Sequence, residues 1–245
     1  MLGWRGSETA VPVEVQQHRM SRESKEQIAL VVSQIETGVE GLRVMNAQNL
    51  RRLRRRFSRL VARANPEVVV GIGLRLVETP GFAFRFLAYE MILMHKAALS
   101  SLGPKDVLHL GRGLDNWGAV DTFACYISGP AWRQNQLRDD LIHRWARSKD
   151  RWQRRAAVVS TVPLNNKARG GTGDPHRTLA LCKLVVSDRD DMVVKALSWA
   201  LRELSKRYPE VVRQFLSEHE TELAPRVIRE VRNKLSTGRK SGRQS

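Results

Sequence analysis

Three short segments place an acid, indoles and cations at helical spacings. In the stretch 115–121, Trp117 and Asp121 are four residues apart and share a helix face. Trp152 and Arg155 are three apart, and Lys195, Trp199 and Arg202 follow an i, i+4, i+7 pattern. A carboxylate so placed can stabilise positive charge that develops on a substrate, or hold the water that attacks it. An indole face attracts a cation, and arginine or lysine beside it binds phosphate.

Each residue also has a plainer reading. Asp121 lies inside a helix that Asp115 or Asn116 can cap, and Asp is a poor helix-interior residue, so something other than propensity holds it there. That something is either a role in chemistry or a salt bridge to Arg154, Arg155 or Lys195. Tryptophans in helical proteins are usually core. The catalytic reading therefore requires an Asp121 carboxylate undisguised by a neighbouring cation and facing Trp117 and Trp199. An internal ion pair would leave only a basic binding surface.

The stretches 116–121 (NWGAVD), 145–157 (WARSKDRWQRRAA) and 195–206 (KALSWALRELSK), the last followed by Pro209 and Val212, resemble the AlkD-like family of alkylpurine DNA glycosylases. The resemblance covers the second half of the chain; the first half matches loosely, apart from a basic helix around Arg51 to Arg59. It implies an all-α, HEAT-like helical-repeat solenoid with a concave basic face that grips duplex DNA. It also implies hydrolysis of the N-glycosidic bond of cationic alkylated purines, of the 3-methyladenine and 7-methylguanine type, without metal or cofactor. Asp121 then matches the catalytic aspartate, Trp117 and Trp199 the two site tryptophans, and Arg155 the site arginine. Arg154, Lys195, Arg202, Arg51, Arg52 and Arg55 would contact the DNA backbone. Asn116 stands where an aromatic residue often precedes the site tryptophan, and Gly118 where an acid follows it, which leaves lesion preference open.

Breaking such a bond develops positive charge on the sugar. A carboxylate about 4 Å away, at an effective dielectric near 20, contributes roughly 4 kcal/mol, about a thousandfold in rate. That suffices when the leaving base is already cationic, because it departs neutral without a general acid. Whether Asp121 acts by its charge or by holding water stays open.

Composition points the same way. The 42 Lys and Arg against 25 Asp and Glu in 245 residues give a formal charge of +17, which calls for a polyanionic partner. The alternative to an enzyme is a non-catalytic helical-repeat module that binds nucleic-acid phosphates; the charge disfavours a protein-binding solenoid. The start of the chain has no apolar run of a signal peptide, and 68–77 is short and broken by Arg75, so no membrane span is expected. Cys125 and Cys182 are isolated and the histidines lack metal-ligand spacing, so no metal is expected. A cytoplasmic monomer, held at the nucleoid through DNA, is the expectation.

These residues must be positioned by helices. Residues 1–21 read as a flexible arm, 22–236 as one helical-repeat domain and 237–245 as a basic disordered tail. Apolar stripes predict helices over 24–37 with Gly38 as a stop, from 66 to a stop at 79–81, and over 82–99, 104–112, 134–147, 176–186 and 191–207, with Pro209 and Pro225 starting two more. The arginines from Arg43 to Arg63 occur with no acid between Glu40 and Glu67, which argues for an external anion over a merely solvated face. Asp115 and Trp117 align with Asp150 and Trp152, and Asp150 and Arg155 with Asp190 and Lys195, the mark of stacked helix pairs. The glycine-rich stretch 165–175 reads as a plain flexible loop in preference to a nucleotide cradle.

Overall fold

The computed structural model describes residues 20–241. The arm expected over 1–21 therefore falls outside the described residues except for its last two, as do the last four residues of the expected tail. Ser21 already serves the first helix, since its Oγ accepts the Ser24 amide at 3.0 Å.

Fifteen α-helices follow, with no strand among the described residues. They are α1 (Arg22–Glu40), α2 (Ala47–Leu60), α3 (Pro66–Leu76), α4 (Phe82–Met94), α5 (Lys96–Ser101), α6 (Pro104–Leu110), α7 (Trp117–Phe123), α8 (Gly129–Arg133), α9 (Asp139–Ala146), α10 (Arg151–Val159), α11 (Val162–Asn165), α12 (Pro175–Leu184), α13 (Asp191–Leu204), α14 (Pro209–Glu218) and α15 (Pro225–Thr237). A π-helical turn, Ala124–Ser128, joins α7 to α8.

The helices stack as pairs. One row runs α2, α4, α7, α10, α13, α15, each packed on the next, and a second row that begins α1, α3, α5, α8 backs it. This is the arrangement of a helical-repeat solenoid. Within the first row neighbours run in the same direction, because contacting residues advance together. Phe82 meets Gly118 and Tyr89 meets Phe123; farther along, Asp191 meets Arg226 and Ser198 meets Glu230. The N-terminal ends of the row thus lie side by side, and every candidate residue sits on this row.

Several boundaries differ from the sequence expectation for local reasons. α1 runs through Gly38, because a Cβ there would lie 2.9 Å from Leu53 Cδ1: the glycine lets α2 approach rather than ending the helix. The stretch 82–99 breaks at His95, which leaves helical geometry and accepts the Ala98 amide on Nδ1 at 3.1 Å, capping α5. The helix expected from 134 begins only at Asp139, since Asn135 takes φ 60° and the Gln136 side chain donates from Nε2 to the carbonyls of Leu99 and Leu102. The last helix reaches Thr237, and Lys240 Nζ lies 3.5 Å from Glu230, so the chain just past 236 is folded back rather than loose.

The loop at 165–175 is strapped down. Asn165 is buried and donates to Thr161 O and Thr178 Oγ1, and Arg207 donates to the carbonyls of Asn165 and Gly171. Arg133 holds Pro163 and Arg169 in the same way. The plain flexible loop is corrected: buried polar side chains satisfy its backbone.

Candidate functional site

The first turns of α7, α10 and α13 are built alike. Asn116 Oδ1 accepts the Ala119 amide at 3.0 Å, Asp150 Oδ1 the Trp152 amide at 2.8 Å, and Asp190 Oδ1 the Met192 amide at 2.9 Å. These caps fix where each helix starts and hence which residues face the neighbouring one. Trp117 is the first residue of α7 and is 62% exposed. Asp121 follows one turn later, while Val120 and Phe123 beside it are fully buried.

The Asp121 carboxylate is not alone. Arg155 of α10 donates from Nε to Oδ1 and from Nη2 to Oδ2, both at 2.8 Å, and its Nη1 donates to the Met192 carbonyl on α13. The Arg155 side chain is 7% exposed and that of Asp121 17%. The expectation of an uncompensated carboxylate is thus corrected, and the plainer alternative, a salt bridge to Arg155, is what the chain forms. The reason is the parallel stacking, which brings residues 34 positions apart to the same height. Burial raises the Asp121 carboxyl above its ordinary range, and the Arg155 guanidinium opposes that rise.

Arg155 is turned inward, which counters its assignment to substrate contact. Four of the assigned backbone cations are also engaged. Arg154 donates to Asp188 at 2.7 Å and to the carbonyls of Ser148 and Lys149. Arg202 donates to Ser198 Oγ at 3.2 Å and lies 3.9 Å from Glu230, largely buried, with its pKa lowered by that burial. Arg51, on α2, donates to Glu90 at 3.1 Å beside Arg54 at 3.2 Å, and lies over the Phe86 ring. Lys195 reaches Asp191 at 2.6 Å but stays partly exposed.

Arg52 and Arg55 are exposed and make no ion pair among the described residues. Glu90 therefore supplies the anion that α2 lacks in sequence, but only for its inner face. The exposed Lys149 and Arg189, each just before a capping aspartate, escaped the sequence reading. The offset of 40 between them was the available signal.

Trp199 is half-buried against the core, seven residues beyond Met192, or about 10 Å along α13. The structure brings Asp121, Arg155 and Met192 together, keeps Trp117 one turn away on the same helix, and leaves Arg51, Arg52 and Arg55 two helices off on α2. Both thiols are buried, which pushes them up to about 12 and leaves no thiolate near neutral pH. Among the described residues, no group of three or more His, Cys, Asp or Glu is placed to hold a metal, and no helix is long and apolar enough to cross a membrane.

Residues 17–235 match the family model described as DNA alkylation repair enzyme. No curated protein matches the chain.

Proposed function

The chain belongs to the family of DNA alkylation repair enzymes, and from that premise we propose that it hydrolyses the N-glycosidic bond of cationic alkylated purines in duplex DNA. The observation that carries the reading is Asp121 itself: a helix-interior carboxylate, fixed in orientation by a two-bond fork, reaching solvent one turn from an exposed indole. The fork uses one lone pair on each oxygen, and a carboxylate has about four sites for hydrogen bonds, so about two remain on a side chain that is still 17% exposed.

The fork is the internal ion pair expected to leave only a basic binding surface. It leaves the carboxylate partly exposed all the same, and so narrows what Asp121 can do rather than removing it. A sugar cation about 4 Å from the carboxylate and about 8 Å from the guanidinium gains roughly 4 kcal/mol and loses roughly 2, leaving about thirtyfold in rate. Charge alone is then a weak catalyst, which shifts the role toward holding and orienting the attacking water. Trp117, and with it Trp199, would pack on the damaged nucleotide. Arg52 and Arg55 are the assigned cations left unpaired among the described residues to meet phosphate.

The reaction balances without a cofactor. Water adds to the sugar carbon, the carbon–nitrogen bond breaks, the base leaves neutral with the bonding pair, and the water proton passes to solvent or to the carboxylate.

A second reading has an observation in its favour. The same fork largely neutralises the one carboxylate, so the chain could bind damaged DNA without cutting it. Incubation with methylated duplex DNA and chromatography of the supernatant decides. Release of free methylated purine that Asp121→Asn lowers roughly a hundredfold supports the enzyme; no release, with duplex affinity equal in both proteins, supports the binding module.

A further inference from the structure

Phe82 is a large apolar residue left in water. It is 45% exposed at the first position of α4, set there by the turn at Gly81, while Ala83, Phe86 and Leu87 on the same helix are buried. The core does not need it, and a phenyl group in water is unfavourable. A Cβ on Gly118 would lie 3.6 Å from Cε2 of Phe82, so the ring rests against the residue that follows Trp117. The two most exposed aromatic rings of the described residues thus stand on neighbouring, parallel helices at the same end of the row.

Arginines lie close by in the chain. The exposed Arg112 stands five residues before Trp117, and its carbonyl is held at 2.7 Å by Nη2 of Arg85, three residues after Phe82. On the other side the Phe86 ring packs 5.9 Å from that of Phe82 and carries the Arg51 guanidinium 5.6 Å from its own centre. Arg51 is itself paired with Glu90, so the rings carry the fit: exposed apolar rings on a chain of net charge +17 match a nucleic-acid strand, in which apolar sugars and base faces alternate with phosphates. They match an acidic protein surface less well, because the rings would then face charge.

We propose that Phe82 and Trp117 form one aromatic ledge across the starts of α4 and α7, and that Phe82 packs on the nucleotide next to the damaged one. The inference rests on the reading of the site as a duplex-binding centre. Phe82 is then a binding residue: it touches the neighbouring nucleotide and holds the duplex without contacting the damaged sugar.

The test uses the full chain and a duplex with a tetrahydrofuran abasic analogue flanked on either side by 2-aminopurine. Phe82→Ala is expected to weaken binding roughly tenfold and to remove the fluorescence change at one flanking position, with Phe82→Leu intermediate. In methylpurine release the loss should fall on KM rather than kcat. Leu30→Ala, which removes another exposed apolar side chain far back on α1, is the control and should bind as the parent does. Parent-like binding and fluorescence in Phe82→Ala, with an unchanged thermal melt, overturns the proposal. Failure of the parent chain to release any purine overturns the enzymatic reading instead, and the binding comparison still decides the ledge.

Discussion

Arg155 closes on Asp121 with both arms of its guanidinium, each at 2.8 Å, across the seam between α7 and α10. A buried charge pair stabilises little in itself, but removing one partner strands the other. The pair is therefore better understood as a device that fixes the carboxylate's orientation.

Replacing Asp121 by Asn keeps the shape and removes the charge. Methylpurine release should fall by roughly a hundredfold, the size of a positioned proton acceptor's contribution. Duplex affinity should stay within about twofold, since Asp121 contacts no phosphate. Activity within threefold of the parent in single-turnover kinetics would remove Asp121 from catalysis.

Arg155→Lys keeps a positive charge but cannot reach Asp121 by two bonds and Met192 O by a third. The expected loss is in kcat, roughly tenfold, with KM and the salt dependence of binding unchanged. A rise in KM with a shallower salt slope would instead mark Arg155 as a phosphate contact. Arg155→Met strands Asp121 and should cost about 3–5 kcal/mol, lowering Tm by roughly 10 °C.

The pH profile follows from the direction of the Asp121 shift. Hydrolysis needs the ionised carboxylate, so the rate falls as pH drops through its pKa, and burial sets that pKa above the ordinary value of 3.8. The acid limb of kcat/KM should thus lie at higher pH than for a free aspartate. In Asp121→Asn any residual rate should lack this limb. An acid limb that persists in the variant would assign the titration elsewhere.

The arginines of α2 divide by partner. Arg52→Gln and Arg55→Gln should each lower the slope of log affinity against log salt by about 0.9 without altering the melt. Arg54→Gln should do the reverse, because it leaves the buried Glu90 with one cation fewer. Equal slopes in all three would mean that α2 does not meet the duplex.

What the chain reveals by itself, and what it hides, follows the range of each interaction. The buried stripe Val194, Leu197, Leu201 and Leu204 and the sharing of a face by Trp117 and Asp121 depend on spacing within one helix, and both are legible. The fork of Arg155 on Asp121 and the hold of Glu90 on Arg51 and Arg54 join residues 34 to 39 apart. Those pairings depend on how one helix of the row slides against the next. The π turn at Ala124–Ser128 is hidden for a related reason. It is tied to Gly129, where a Cβ would come within 2.7 Å of the Ser160 carbonyl, a contact made only after α10 is in place.

Gly173 tests whether the strapped loop serves the fold or the chemistry. Its φ of +102° is a conformation L side chains rarely adopt, and a Cβ there would lie 2.7 Å from the Tyr208 ring. Gly173→Ala must shift Tyr208 or release the loop from Arg207, which donates to Asn165 O and Gly171 O. The expected cost is about 1–3 kcal/mol, seen as a lower Tm. No residue of this loop touches the Asp121–Arg155 fork by hydrogen bond, so kcat per folded molecule at a temperature well below the melt should match the parent. A fall in kcat without a fall in Tm would instead give the loop a part in holding DNA.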